Sequence, residues 1–195
     1  MSVWTRIERR LSDLAGELLP DEFRVQLASA RDLVAAGQAA EAVTMLDAML
    51  EKRPDHPGAL SLLGAARLDL GNPRAALEAF GRALQERDDL PETWLGMGEA
   101  ELTLGNGKAA VDAFRAALGR AGGESSLLAA AYRGLGLAYR AIGDLDKAIR
   151  ELRKAVAEDA GDPVARAGLG EALLADERIS AEEARRHLEM AEVGS

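Results

Sequence analysis

The chain has 195 residues, a formal net charge of −9 and no cysteine. This acidic balance argues against nucleic acid and anionic membranes as partners, and the lack of cysteine excludes disulfides and thiolate metal sites. Hydrophobic residues make up 48% of the chain but aromatic residues only 4%, so we expect a core of Ala and Leu in closely packed helices.

The first predicted element is an amphipathic helix over residues 1–19. Its apolar residues form one stripe at helical spacing: Val3, Trp4, Ile7, Leu11, Leu14 and Leu18. Charged residues interrupt the apolar run that a signal peptide would need here, and no stretch of the chain approaches the ~18 apolar residues of a membrane span. We therefore expect a cytoplasmic protein without membrane insertion.

From residue 23 onwards the sequence is periodic. Glycines at 37, 71, 105 and 143 are separated by steps of 34, 34 and 38 residues. Three further columns follow the same rhythm: Gly64, Gly98, Gly136 and Gly170; Ala42, Ala76, Ala110 and Ala148; Leu46, Phe80, Phe114 and Leu152. Such self-similarity is typical of a repeat architecture.

Each repeat is predicted to contain two short helices. The first helix ends at a glycine of the first column, where a residue without Cβ adopts the left-handed conformation that closes a helix. The second helix follows at once, as at Asn72 and Pro73, which we expect to be an N-cap and a first-turn residue. Glycines of the second column lie inside first helices and indicate that a neighbouring helix approaches closely. Three prolines mark the openings of first helices: Pro57, Pro91 and Pro163.

Over about residues 23–193, nearly its whole length, the chain resembles the tetratricopeptide repeat family. The residues that carry the resemblance are Trp94, Gly98, Gly105, Ala110, Phe114 and Ala117, then Tyr132, Leu135, Gly136, Tyr139, Gly143, Ala148 and Ala155. The resemblance implies an all-α fold, a right-handed α-α superhelix of about five helix-turn-helix repeats preceded by the N-terminal amphipathic helix. The repeats are expected at residues 23–56, 57–90, 91–124, 129–162 and 163–193.

Three segments depart from the regular repeat. Residues 125–128 are an insertion, which we expect to lengthen the first helix of the fourth repeat by about one turn. In the fifth repeat, Ser180 and Glu183 are predicted to form a capping box. Residues 1–19 are expected to cap the first repeat; the alternatives are a dimerisation segment and a segment that occupies the binding groove.

The sequence offers no constellation typical of catalysis or of cofactor or metal binding. His56 and His187 have no nearby set of partner residues, so we expect packed or solvated side chains. Glycine pairs at 96–98, 134–136 and 168–170 resemble part of a dinucleotide fingerprint, but they follow no strand and lack the third glycine. We therefore expect them to serve packing, and predict that the chain is not an enzyme and has no catalytic, cofactor or metal residues.

By resemblance to the family, the first helices line a concave groove that binds another protein. The residues projected onto this groove are Leu27, Arg31, Leu68, Leu95, Glu99, Leu102, Arg133, Leu137, Arg140, Glu171 and Leu174. The leucines would contact apolar partner residues, Arg133 and Arg140 acidic ones, and Glu99 and Glu171 basic ones. We further expect Arg67 and Glu101 to pair across the stack.

The leading functional hypothesis is an adaptor or scaffold that binds a peptide or helical segment of a partner protein in the groove. A second hypothesis is a chaperone that shields a secreted or assembling client. A third is a localisation or regulatory module of a larger protein, since no separate solvating helix follows the fifth repeat. Self-association is expected to involve residues 1–19 or the C-terminal helix.

Overall fold

The computed structural model describes residues 21–176 and 181–192, which form helices and no strand. The ten helices are α1 (Asp21–Ala35), α2 (Ala39–Lys52), α3 (Pro57–Asp69), α4 (Pro73–Glu86), α5 (Pro91–Thr103), α6 (Gly107–Arg120), α7 (Ser125–Ala141), α8 (Leu145–Glu158), α9 (Pro163–Ala175) and α10 (Ala181–Glu192). The predicted helix over residues 1–19 and the capping box at Ser180 lie outside the described residues.

Successive helices pack against each other in chain order. In addition, each odd-numbered helix contacts the next odd-numbered helix, so α1, α3, α5, α7 and α9 lie side by side. This nearest-neighbour packing confirms the predicted all-α solenoid. We propose that the helices group into repeats at the boundaries given by the sequence period. Helix α7 has 17 residues against 13 in α3, α5 and α9, as the insertion at 125–128 predicts.

Helices α1, α3, α5 and α7 end in the same way. Gly71 has φ +74°, and its N–H donates to the carbonyl of Leu68 while the N–H of Asn72 donates to the carbonyl of Arg67, both over 2.9 Å. These two bonds form a Schellman motif, which satisfies carbonyls that the helix end leaves unpaired. The left-handed conformation predicted for the glycine column is confirmed at Gly37, Gly71, Gly105 and Gly143.

The helices begin where the sequence predicts, but one predicted N-cap hydrogen bond is not formed. The prolines at 57, 91 and 163 are the first residues of α3, α5 and α9. Asn72 precedes α4 as predicted, but its side chain makes no capping hydrogen bond. Its φ of −110° and ψ of 64° differ from the extended conformation that directs an N-cap side chain towards the first free amides.

Large residues of the second helices pack between glycines of two first helices. A Cβ built on Gly64 would lie 2.5 Å from the ring of Phe80, and a Cβ on Gly96 would lie 2.4 Å from the same ring. The arrangement recurs with Phe114 between Gly98 and Gly134, and with Leu152 between Gly136 and Gly168. The close approach predicted for Gly64, Gly98 and Gly136 is thus confirmed, and it joins each second helix to the first helices on both sides.

Candidate functional site

The five odd-numbered helices form one face of the solenoid. We call this face, with the eleven residues projected onto the groove, the first-helix face. Neighbouring helices meet there directly; for example, the Thr93 hydroxyl on α5 donates to the Ser61 hydroxyl on α3 over 2.8 Å. All eleven residues projected onto the groove lie on these helices: Leu27 and Arg31 on α1; Leu68 on α3; Leu95, Glu99 and Leu102 on α5; Arg133, Leu137 and Arg140 on α7; Glu171 and Leu174 on α9.

The leucines of the first-helix face are in part structural. Leu68 packs against the cluster around Phe80, while Leu95 and Leu102 pack against the cluster that contains Phe114, and all three stay half-buried. Leu27 and Leu137 are half-buried as well, whereas the side chain of Leu174 is 50% exposed. The face therefore presents an interrupted apolar row of half-buried leucines with one exposed leucine, on α9.

Arg133 is held by a carboxylate of the same chain. Its guanidinium donates to Oδ2 of Asp162 over 2.8 Å. Oδ1 of Asp162 accepts from the backbone N–H groups of Val164 and Ala165 over 2.9 and 3.1 Å, which makes Asp162 the N-cap of α9. Asp162 is buried, so this ion pair is fixed to the start of α9.

Arg140 also has a partner within the chain. Its guanidinium forms an ion pair with Glu171, so α7 and α9 are joined across the first-helix face a second time. The sequence led us to expect that Arg133 and Arg140 contact acidic residues of a partner, and it did not predict these pairs within the chain. Both arginines have their charge compensated within the chain before any partner binds.

Glu99 lies between charges from the helices on either side. Partial desolvation of the carboxyl group raises its pKa, Arg133 opposes this shift, and Asp69 on α3 adds to it. The residue as a whole is exposed. Its carboxylate forms no ion pair or side-chain hydrogen bond among the residues described by the structure. Within that part of the chain, Glu99 is therefore an acid at the centre of the first-helix face without a cation bound to it.

His56 and five of the paired glycines have capping or packing contacts. His56 is half-buried, its Nδ1 accepts from the N–H of Ala59 over 3.2 Å, and its ring lies 4.9 Å from that of Phe23. The glycine pairs lie inside α5, α7 and α9, where the structure shows the expected packing for Gly96, Gly98, Gly134, Gly136 and Gly168. Within 21–176 and 181–192, no three His, Asp or Glu side chains are arranged to hold a metal ion.

A cavity of about 680 Å³ opens elsewhere, at the turn between α7 and α8. It is lined by residues 142–146 and by Ala175 and Asp176 at the end of α9. None of the eleven residues projected onto the groove lines this cavity. It is thus a separate, open depression with acidic walls.

Two family models described as tetratricopeptide repeat match the chain, one over residues 89–157 and the other over residues 27–91 and 133–192. The chain belongs to the tetratricopeptide repeat family. Members of this family are generally interaction modules that bind other proteins, and they are generally non-catalytic. No curated protein matches the sequence. Over the part of the chain described here, no helix has the length and hydropathy of a membrane span.

Solved structures show the same fold. TTC0263, a thermophilic tetratricopeptide repeat protein of Thermus thermophilus, is 24% identical, with a TM-score of 0.73 over 89% of this chain and 91% of that one. MamA from Desulfovibrio magneticus RS-1 is 22% identical, with a TM-score of 0.72 over 90% of this chain and 96% of that one. YrrB, described as having an unusual peptide-binding site, is 19% identical, with a TM-score of 0.64 over 87% and 84%. At these identities the likeness concerns the fold alone.

Proposed function

We propose that this protein is a non-catalytic adaptor or scaffold that binds a peptide or helical segment of a partner on the first-helix face. The observation that carries the proposal is the row of half-buried leucines on α3, α5 and α7, which continues to the exposed Leu174 on α9. An apolar partner side chain laid along this row would remove the remaining leucine surface from water. The cytoplasmic location of the protein stays a prediction from the sequence.

The fold and the comparisons support this proposal. Side-by-side first helices give a continuous surface of the kind that repeat proteins use for extended ligands. YrrB, which shares the fold, is described as having an unusual peptide-binding site. For a segment held on such a face without a special anchor, we expect a dissociation constant around micromolar, or about −8 kcal/mol.

The test requires a partner and two matched substitutions. Affinity capture with mass spectrometry identifies candidate partners, and titration with a purified candidate gives the dissociation constant. Leu174→Asp places a charge on the face, and Leu70→Asp places the same charge on an apolar side chain at the end of α3 that is not among the eleven residues projected onto the groove. The two leucines are 50% and 45% exposed, so the substitutions disturb the fold to a similar extent.

We expect Leu174→Asp to weaken binding about tenfold, which is about 1.4 kcal/mol, and Leu70→Asp to leave it unchanged. Leu102→Asp extends the test to the centre of the face, with circular dichroism to verify that the helices remain formed. If the partner binds all three variants as tightly as the unchanged chain, the first-helix face is not the binding site.

A further inference from the structure

The charges of the first-helix face are not equally available to a partner. Arg133 and Arg140 are engaged by Asp162 and Glu171 of the same chain. An acidic partner residue would have to displace a carboxylate that is already in place, and Asp162 is held by two backbone amides as well. Removing one member of such a pair leaves a charge without compensation, so the exchange gains little.

The acids at the centre of the face are in the opposite situation. Glu99 on α5 has no ion pair within the described part of the chain, and the charge of Asp69 on α3 is close enough to act on it. Burial is the main cause that raises the pKa of Glu99, Arg133 opposes the shift, and the like charge of Asp69 adds to it, so Asp69 repels the ionised carboxylate of Glu99. A cation brought next to Glu99 would relieve this repulsion.

Apolar and acidic groups alternate along α5. Leu95, Glu99 and Leu102 are spaced by four and three residues, which places them on one side of the helix. Leu95 and Leu102 are half-buried and thus keep part of their surface for a partner. The side of α5 that faces a ligand therefore offers a carboxylate between two apolar contacts.

From this charge pattern we propose that the partner segment is basic and amphipathic, with a Lys or Arg opposite Glu99 and Asp69 and apolar side chains on Leu95 and Leu102. This inference rests on the proposed function and specifies the chemistry of its ligand. Complementary charge determines which segments are accepted, because an acidic segment in the same position would meet the like charges of Glu99 and Asp69.

Two synthetic peptides test the sign of the charge. Both have about 14 residues and the same leucine spacing of an amphipathic helix, and they carry either Lys or Glu at every polar position. Fluorescence anisotropy with the full chain measures both dissociation constants. We expect the Lys peptide to bind at least about tenfold more tightly than the Glu peptide.

Charge-neutralising variants separate the site from the overall charge of the chain. Glu99→Gln removes the central carboxylate, and Glu78→Gln removes an exposed carboxylate on α4 with the same change in net charge. We expect Glu99→Gln to lower the affinity for the Lys peptide about three- to tenfold and Glu78→Gln to leave this affinity unchanged. Equal losses in both variants would mean attraction to the acidic chain as a whole and would overturn the proposal.

The pH dependence provides an independent measurement. A cation bound at Glu99 favours its ionised form, so affinity for the Lys peptide should rise as the pH rises through the pKa of Glu99. This dependence should be weaker in Glu99→Gln, in which Asp69 is the remaining carboxylate of the proposed contact. A pH profile that is identical in both proteins contradicts contact with Glu99.

The same peptides distinguish failure of this inference from failure of the proposed function. If the Glu peptide binds as tightly as the Lys peptide and the uncharged variant Leu102→Asn weakens both, the face binds segments but the assigned charge is wrong. If neither peptide binds, or if neither Leu102→Asn nor Leu174→Asn affects binding, the proposed function fails together with the inference.

Discussion

The ring of Phe80 occupies the space beside Gly96 in which the side chain of an alanine would stand. A Cβ on Gly96 would lie 2.4 Å from Cζ of Phe80, well inside van der Waals contact. Phe80 belongs to α4 and Gly96 to α5, and the same ring also lies against Gly64 of α3. Neighbours on two helices therefore restrict the space into which the ring can move.

Gly96→Ala is expected to destabilise the protein for this reason. Overpacking a closed site costs about 1–3 kcal/mol, and the higher helix propensity of alanine offsets about 1 kcal/mol, so we expect a net loss of up to about 2 kcal/mol. Urea unfolding followed by circular dichroism measures this difference. Gly81→Ala in α4 is the control, because apart from the surrounding backbone of its own helix nothing lies within 4 Å of its Cβ position. It should gain stability, and a gain of equal size in Gly96→Ala would contradict the packing argument.

Substitutions at Gly105 test the effect of the backbone conformation on stability, separately from packing. Its φ is +81°, and a Cβ at this position would meet nothing within 4 Å. Gly105→Ala should therefore lower the free energy of unfolding by about 1–2 kcal/mol, purely because an L-residue disfavours the left-handed conformation. Gly105→Asn should lose less, since asparagine tolerates this region better. Chemical unfolding of the two variants gives the order, and an equal loss would argue against a conformational cause.

The repeat period predicted the fold because it reports local geometry. Helix starts at Pro57, Pro91 and Pro163 and the closing turns at the glycines depend on backbone properties of single residues, which the sequence displays directly. Phe80 and Gly64 are close because they belong to one helix pair. The contact of Phe80 with Gly96 required the packing of two consecutive pairs, and the sequence does not indicate which large residue the glycines at 96, 134 and 168 contact.

Side-chain pairing across the stack was predicted less well. The expected pair of Arg67 with Glu101 is wrong: Arg67 lies 3.7 Å from a carboxylate oxygen of Asp47, and Glu101 accepts from the side-chain amide of Asn106. Residues one repeat apart face each other only if the helices have the right rotation, and a long side chain reaches several neighbours. For the same reason, the pairing of Arg133 with Asp162 was visible only in the structure.

We expect His56 to make the stability of the first repeats depend on pH. Burial, together with the charges of Arg53 and Arg87, lowers the pKa of His56 from its ordinary value of 6.5. Because the folded chain resists protonation more than the unfolded chain, stability contributed by neutral His56 is present above the ordinary pKa and is lost as the pH falls through the folded pKa. Protonation also removes the Nδ1 acceptor for the N–H of Ala59.

The variant His56→Asn isolates this effect. Asparagine retains an N-cap acceptor but does not titrate. We expect the stability difference between the unchanged chain and His56→Asn to shift in favour of the variant on going from about pH 7.5 to about pH 5. Thermal or urea unfolding at both pH values measures this. Parallel pH profiles of the two proteins would exclude a contribution from His56.

Asp162 connects the stability of α9 with the electrostatics of the first-helix face. Asp162→Ala removes the N-cap of α9 and the partner of Arg133, so we expect a loss of about 2 kcal/mol in the free energy of unfolding. Asp162→Asn keeps an acceptor for the amides of Val164 and Ala165 and should lose less.

Both substitutions leave the charge of Arg133 without its carboxylate, and Arg133 already acts on Glu99. The pKa of Glu99 should therefore fall in Asp162→Asn, and the Lys peptide should bind less tightly than to the unchanged chain, because a cation of the chain then competes for Glu99. Carboxyl ¹³C NMR titration and peptide anisotropy measure the two effects. If Asp162→Asn leaves both the pKa of Glu99 and the affinity for the Lys peptide unchanged, the pairing of Arg133 does not control the charge of this face.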